Sequence, residues 1–230
     1  MRPMQDYPPE PMPISARKSP IKLPWNSFGL MAVLLALILF FGVMSEYFFS
    51  AITFRTLINQ VPALTVIAVG MTFVLLIAGI DLSVGSVMAL CAAVMGVLIA
   101  DSQMPIAIAV IGALLMGLVC GSVNGFVTAK WRIPSFVVTL GMLEIARGGA
   151  YLVTNSETKY LGDSVGFIGA PIAGLGVSVS LLAAIFVVLF AQWVLSKTLF
   201  GRYMIAIGTN EEAVRLSGVN PIFWKVLVFA

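Results

Sequence analysis

The chain has 230 residues, of which 60% are apolar and 10% are charged, and its formal net charge is +3. Soluble domains contain about 25% charged residues, so this composition indicates a membrane protein. The chain contains no histidine, which excludes a His-ligated metal site and a Ser-His-Asp triad. The basic residues are scattered around apolar segments, which argues against nucleic-acid binding.

The first 24 residues contain seven prolines, which rule out a regular helix. We expect a mobile, disordered cytoplasmic tail at residues 1–24. A signal peptide has an apolar core directly after a short basic region, followed by a small-residue cleavage site. Neither feature fits this chain, so we expect the first membrane span to be retained.

The remaining residues, 25–230, predict one transmembrane domain, an all-α polytopic helical bundle. A spanning helix needs about 20 mostly apolar residues, and the runs are too long and lack the alternation of a membrane barrel. The start of a seventh span near Pro221 stops at Ala230, so we expect a chain truncated at its C-terminus; the alternative is a short interfacial helix. The six complete predicted spans are Phe28–Met44, Val61–Ile80, Ser83–Ala100, Pro105–Gly125, Pro134–Val153 and Ile172–Leu195.

Lysine and arginine counts predict that the N-terminus is cytoplasmic. With that orientation only Arg55 and Lys159 lie outside, and Arg147 lies within a span. The outer segments instead carry Glu46, Asp101, Glu157 and Asp163, and the loop 155–169 is long enough for a short external helix. The ten basic residues on the cytoplasmic side are Arg2, Arg17, Lys18, Lys22, Lys130, Arg132, Lys197, Arg202, Arg215 and Lys225.

The stretch AGIDLSVGSVMAL places Asp81 between two apolar runs. A carboxylate at the centre of the bilayer costs at least about 2.5–3.5 kcal/mol. The segment from Gly79 to Gly85 can avoid this cost as a tight turn at the cytoplasmic end of the second span, or as a helix break that lines a cavity. Asp81 can cap the next helix through backbone N–H groups near Ser83 and Val84, or belong to a gate or substrate path; the residues alone favour the cap.

The fourth span carries Gly117, Gly121 and Gly125 at four-residue spacing. This spacing predicts a face on which another helix packs closely, in preference to a surface for helix sliding. Asn124, beside this face, can bond either a carbohydrate hydroxyl or a neighbouring carbonyl group.

Glu144 and Arg147 lie three residues apart in the fifth span and therefore share a helical face. We expect an intramembrane ion pair that holds helices in register. The alternative is a proton or substrate relay.

The loop GRYMIAIGTNEEAVRLSGVNP, residues 201–221, predicts a short cytoplasmic helix. Asn210 is a suitable N-cap, Glu211 and Glu212 favour the first turn, and Gly218 suits a left-handed C-cap. The apolar face formed by Ala213, Val214 and Leu216 is small for a helix resting on lipid. We therefore favour docking to a partner.

Three stretches resemble the monosaccharide-type permease subunits of bacterial ABC importers, with the ribose-type permeases closest in pattern. They are GIDLSVGSVMAL, NGFVTAKWRIPSFVVTLGMLEIARGGAYLVT and GRYMIAIGTNEEAVRLSGVNP, and the resemblance covers roughly residues 25–230. The more distant branched-chain amino acid permeases share the ground plan. The resemblance implies the type II importer fold, a homodimer in the bacterial inner membrane, a cytoplasmic ABC ATPase and a periplasmic sugar-binding protein.

The resemblance also implies that the helix from Asn210 to Val219 is the coupling helix that docks on the ATPase. It further implies a longer chain, with a glycine-rich segment in the part that is absent here. The ATPase-coupling residues expected on this basis are Gly208, Asn210, Glu211, Glu212, Ala213, Arg215, Leu216, Ser217 and Gly218.

The sequence contains no GxxxxGK[ST] phosphate-binding motif, so we expect a transport subunit with no ATPase site and no cofactor of its own. A neutral sugar needs hydroxyl and amide partners along its path. Rival hypotheses are a proton-coupled carrier that uses Asp81, Glu144 and Arg147, a branched-chain amino acid permease, and a membrane anchor that transports nothing. The candidate path residues are Asn59, Gln60, Asp81, Ser83, Asn124 and Thr139.

Overall fold

The computed structural model describes residues 25–161, 165–166, 172 and 177–230, with side chains from residue 28 onward. The predicted N-terminal tail, Asp163 and residues 162–164 and 167–169 of the loop expected to hold a short external helix lie outside the described residues.

The described residues form eight α-helices and no β-strand, which confirms the predicted all-α class. The helices are α1 (Trp25–Met44), α2 (Ala51–Leu76), α3 (Val84–Ala100), α4 (Ile106–Trp131), α5 (Ser135–Thr154), α6 (Val179–Lys197), α7 (Leu199–Leu216) and α8 (Pro221–Phe229).

Four of these helices, α2, α4, α5 and α6, are long and apolar enough to cross a membrane. The helices α1, over Phe28–Met44, and α3 are apolar but shorter, and α8 has nine residues. The predicted count of six complete spans and a seventh start is therefore not confirmed, although each predicted span overlaps an apolar helix. Large side chains such as Leu114 (68%) and Phe186 (67%) are exposed, as expected for helices that face lipid.

Two helix starts differ from the sequence prediction. The second helix begins at Ala51 rather than Val61, because Pro62 is accommodated inside α2 and does not end it. The sixth helix begins at Val179 rather than Ile172, because the Ser178 hydroxyl accepts a hydrogen bond from the Leu181 N–H group (3.3 Å) and caps the helix there.

The chain divides into two units, residues 1–50 and 51–230. In the first unit, the chain turns after α1 so that the Phe41 and Phe48 rings stack with their centroids 6.2 Å apart.

The second unit contains two apolar cores. In one group α3 packs against α4 and α5, and Leu90, Cys120, Met142 and Ala146 are buried between them. In the other group α2 packs against α6, and α7 contacts α6 and α8. Its buried residues are Val74, Ile77, Met204, Ile207, Val214 and Phe229.

The two groups meet where α4 packs against α8. A Cβ atom at Gly121 would overlap the Phe229 carbonyl oxygen, and one at Gly125 would lie 2.7 Å from the Val226 Cα atom. The structure thus places these two glycines against α8, while Gly117 faces the Cys91 sulfur atom, 3.4 Å from an added Cβ.

We predict opposite effects of the same substitution at two helical glycines. Gly121→Ala should lower the free energy of unfolding by about 1–3 kcal/mol, because the added methyl group has to displace α8. Gly148→Ala should raise it by up to about 1 kcal/mol, because nothing lies within 4 Å of the added Cβ and alanine favours a helix more than glycine does. Thermal unfolding in detergent measures both, and an increase for Gly121→Ala would contradict the close α4–α8 contact.

Candidate functional site

The segment between α2 and α3, residues 77–83, is a helix break. The Gly79 N–H group donates to the Val74 carbonyl group and the Ala78 N–H group to the Leu75 carbonyl group, both at 2.9 Å. Ala78 has φ = 57°. This is a Schellman ending with alanine in the left-handed position usually taken by glycine, and it turns the chain sharply out of α2.

Asp81 caps the other side of this break. Its Oδ1 atom accepts hydrogen bonds from the Ser83 N–H group (2.7 Å) and the Ser83 hydroxyl group (2.6 Å), and α3 begins at Val84. The Asp81 side chain thus makes the kind of contact that its position before α3 predicts.

The first turns of α5 supply partners for the non-helical backbone. The Ile80 N–H group donates to the Ser135 hydroxyl oxygen (2.8 Å), and the Leu82 N–H group donates to the Thr139 hydroxyl oxygen (3.1 Å). The Thr139 hydroxyl group also lies 3.3 Å from the Ile80 carbonyl oxygen, to which it can donate. Backbone polar groups that are shielded from water require such partners within the protein.

Asn124 of α4 completes this cluster. Its Nδ2 atom donates to the Ser83 hydroxyl oxygen (3.0 Å), and Ser83, Asn124 and Thr139 are 1%, 1% and 0% exposed. We call Asp81, Ser83, Asn124 and Thr139 the polar break. The structure therefore brings together four of the six candidate path residues, but they bond mainly to one another and to the local backbone.

The other two candidates, Asn59 and Gln60, lie in the first half of α2. Asn59 precedes Leu76 by 17 positions, which corresponds to about 26 Å along an α-helix. Gln60 is exposed, and the Asn59 Oδ1 atom is buried without a hydrogen-bond partner. The structure does not bring these residues to the polar break.

Helix α7 bends at Asn210, whose backbone is not helical (φ −158°, ψ 92°). The Asn210 Oδ1 atom accepts a hydrogen bond from the Ala213 N–H group (3.0 Å), and Gly218 has φ = 88°. We call residues 210–218 the kinked segment. It contains the capped helix that the sequence suggests, but as the second part of a longer helix.

The first part of α7, Leu199–Thr209, is the element that sequence reasoning missed. Met204 and Ile207 are buried in the second core, and their spacing of three residues was the available signal. A Cβ atom at Gly208 would overlap the Leu76 carbonyl oxygen. This close approach places α7 directly against the end of α2.

The kinked segment contacts α8 and leaves most of its residues exposed. Glu211 forms an ion pair with Lys225 of α8, whereas Glu212 pairs with Arg215 on the same helix. Val214 is buried, but Leu216 is 79% exposed. The remaining segment residues, Asn210, Glu211, Glu212, Ala213, Arg215, Ser217 and Gly218, are also exposed.

A cavity of about 460 Å³ lies between the kinked segment and the helix break. Gly79 and Ser135 line it from the break, Arg132 from the end of α4, and Glu211 and Arg215 from the kinked segment. The segment predicted to contact a partner is thus adjacent to the break in the membrane domain.

The ion pair between Glu144 and Arg147 is present, with 3.1 Å between Oε1 and Nη1, and both side chains are more than half exposed. In the described part of the chain, no hydrogen bond links this pair to Asp81. Of the three residues named for a proton-coupled carrier, Glu144 and Arg147 are therefore bonded to each other but not to Asp81.

At the end of the bundle opposite the kinked segment, Lys159 lies 2.9 Å from both Asp101 and Glu157. The hydrogen bond with Asp101, and then the one with Glu157, raise the pKa of the Lys159 ammonium group above its ordinary value. Sequence reasoning used these three residues only to count charges, although their grouping in neighbouring outer segments was a usable signal.

Known proteins resemble this chain over most of its length. It is 36% identical over 211 residues to the ribose import permease protein of Haemophilus influenzae, which covers 89% of this chain and 64% of that protein. It is 35% identical over 204 residues to the fructose import permease protein of Rhizobium meliloti (83% and 55%). It is 32% identical over 204 residues to the L-arabinose ABC transporter permease protein of Azospirillum brasilense (89% and 60%).

The chain spans less than two thirds of the length of each of these relatives. No solved structure matches it. The family model described as "Branched-chain amino acid transport system / permease component" matches residues 53–230. Because this match covers well over half of the chain, the protein belongs to that family of transport-system permease components.

Proposed function

We propose that this chain is the membrane-spanning part of a permease subunit in a binding-protein-dependent ABC importer for a monosaccharide. ATP hydrolysis in a separate cytoplasmic subunit drives the transport. The observation that carries this proposal is the kinked segment, which is capped at Asn210 and exposes Leu216. It directly follows Gly208, whose backbone packs against the end of α2 beside the break.

The proposed topology has a cytoplasmic N-terminus in the bacterial inner membrane, six spans and the start of a seventh, in the manner of a type II importer. The excess of lysine and arginine in the predicted cytoplasmic segments supports this orientation. In the structure Arg132, Arg215 and Lys225 line the cavity beside the kinked segment, whereas Asp101 and Glu157 lie near the opposite end.

In the proposed mechanism the exposed face of the kinked segment docks on the ABC ATPase. Closure of the ATPase moves the segment, which displaces α2 through the contact between Gly208 and Leu76, and α8 through the ion pair between Glu211 and Lys225. A second permease copy completes the channel, and a periplasmic binding protein delivers the sugar to the outer face.

The rival functions fit the site less well. A proton-coupled carrier would need Asp81, Glu144 and Arg147 to exchange protons, but the carboxylate of Asp81 bonds to Ser83 and that of Glu144 to Arg147. A pure membrane anchor gives no reason for a docking segment so close to a helix break. The relatives named for ribose, fructose and arabinose favour a sugar over an amino acid.

The proposal predicts uptake of labelled ribose, fructose or arabinose by the full-length permease in proteoliposomes with its ATPase and binding protein. Uptake should require ATP and should persist with a protonophore, because the energy comes from the nucleotide. Uptake without ATP that collapses with the protonophore would show a proton-coupled carrier. Uptake of leucine alone would show an amino acid permease, and no flux with retained partner binding would show an anchor.

A second prediction concerns docking. Leu216→Cys should crosslink to the co-expressed ATPase, because residue 216 lies on the open face of the kinked segment. Tyr160→Cys is the matched control, since Tyr160 is similarly exposed (85%) but lies near the opposite end. Crosslinking is read on denaturing gels, and equal yields from the two positions would remove the support for docking.

A third prediction concerns transmission of the movement. Glu211→Lys should lower sugar uptake about fivefold or more, the lower range of typical coupling free energies, while the ATPase still binds. The double variant Glu211→Lys, Lys225→Glu should restore uptake because it restores the ion pair. Lys225→Glu alone is the matched control, since it breaks the same ion pair from α8, outside the kinked segment, and should lower uptake to a similar extent. If the double variant does not restore sugar uptake, the ion pair does not transmit the movement.

A further inference from the structure

A groove of about 760 Å³ runs between α3 and α5. It extends from Leu82, beside the polar break, to Gly96 and Lys159 at the opposite end. The 14-residue separation between Leu82 and Gly96 corresponds to about 21 Å of helix. This is most of the hydrocarbon thickness of a bilayer, which is about 30 Å.

The lining of the groove combines a small-residue floor with polar groups on its sides. Ala89 and Ala92 of α3 are exposed on the floor, and Ser86 and Tyr151 contribute hydroxyl groups. Sites for small molecules have volumes of about 300–1,000 Å³ and a few polar groups in a mostly apolar lining. The groove therefore has the size and the chemistry of a path for a small solute.

The charged side chains that line the groove are all paired with residues of the same chain. Arg147 and Lys159 are its charged lining residues; Arg147 pairs with Glu144, and Lys159 pairs with Asp101 and Glu157. The pair of Arg147 and Glu144 has no net charge, whereas Lys159 with Asp101 and Glu157 carries a net charge of −1. An anionic solute would therefore find no unpaired positive charge along the described part of the lining, and desolvating its charge would be costly. A solute rich in hydroxyl groups can instead form hydrogen bonds with the hydroxyl groups of the lining. It can also bond to those donors and acceptors of the ion-paired side chains that face the groove.

We propose that this groove is one wall of the translocation path for a neutral, polyhydroxylated solute of monosaccharide size. Lys159, tied to Asp101 and Glu157, closes the end away from the kinked segment. This inference rests on the proposed function. It names a wall of the path different from the polar break, in which Ser83, Asn124 and Thr139 are buried and the side chains bond to one another or to the local backbone.

The test uses Ala92→Cys in the full-length permease, in which every native cysteine, including Cys91 and Cys120, is replaced by alanine. The assembled transporter in proteoliposomes is treated with a water-soluble cationic methanethiosulfonate reagent, and ribose uptake is then measured. We expect the thiol at position 92 to react and uptake to be lost, because the added group fills the groove. Ribose at ten times its Kd for the assembled transporter should slow the reaction of this thiol about tenfold by mass action. Leucine should not slow it.

Two control positions outside the groove lining show whether the effect is specific to the groove. Ala183→Cys on α6 is exposed but is not part of the groove lining, and it should not react because lipid covers it. Tyr160→Cys should react without loss of uptake. Should Ala92→Cys fail to assemble, Ser86→Cys provides the same test from a groove-lining position nearer the start of α3.

The outcomes distinguish this inference from the proposed function. If the parent transporter takes up ribose, fructose or arabinose but position 92 is unreactive, another helix covers the groove and the inference is overturned. It is equally overturned if modification leaves uptake unchanged. If the parent takes up none of these sugars although its ATPase and binding protein are bound, the proposed function fails and this inference fails with it.

Discussion

The architecture depends on how the chain satisfies its backbone polar groups where α2 ends and α3 begins. Backbone N–H and carbonyl groups that are buried without a partner are costly. The Ile80 and Leu82 N–H groups donate to Ser135 and Thr139 of α5. These bonds join residues more than 50 positions apart, and they place the start of α5 against the break.

The same break explains why α4 lies where it does. Asn124 donates to the Ser83 hydroxyl group from one side of α4, and Gly121 and Gly125 admit the backbone of α8. A larger side chain at either glycine would hold α8 away, and Lys225 of α8 could then no longer reach Glu211. Gly121 and Gly125 thus permit the close packing of α8 that brings Lys225 within reach of Glu211 in the kinked segment.

The sequence was sufficient for the features that depend on local chemistry. Apolar runs predicted the helices, and the residue types at Asp81 and Asn210 predicted capping contacts that the structure contains. Helix starts were less predictable, because runs that are apolar on every face give no periodicity, and Pro62 does not interrupt α2. The partners of Asn124 and Lys159 depend on long-range packing, which single-sequence patterns do not encode.

Helix α5 connects the two regions that the proposed transport cycle requires. Its first turns, through Ser135 and Thr139, hold the break that adjoins the kinked segment, and its later turns, through Arg147 and Tyr151, line the groove. A shift of the α2 end would therefore act on α5 through short hydrogen bonds, and a rigid helix would carry that shift to the groove wall. A sugar that moves beside the polar break, rather than through it, would leave these bonds intact. The cluster can then transmit movement throughout the cycle without exposing unpaired backbone groups to lipid.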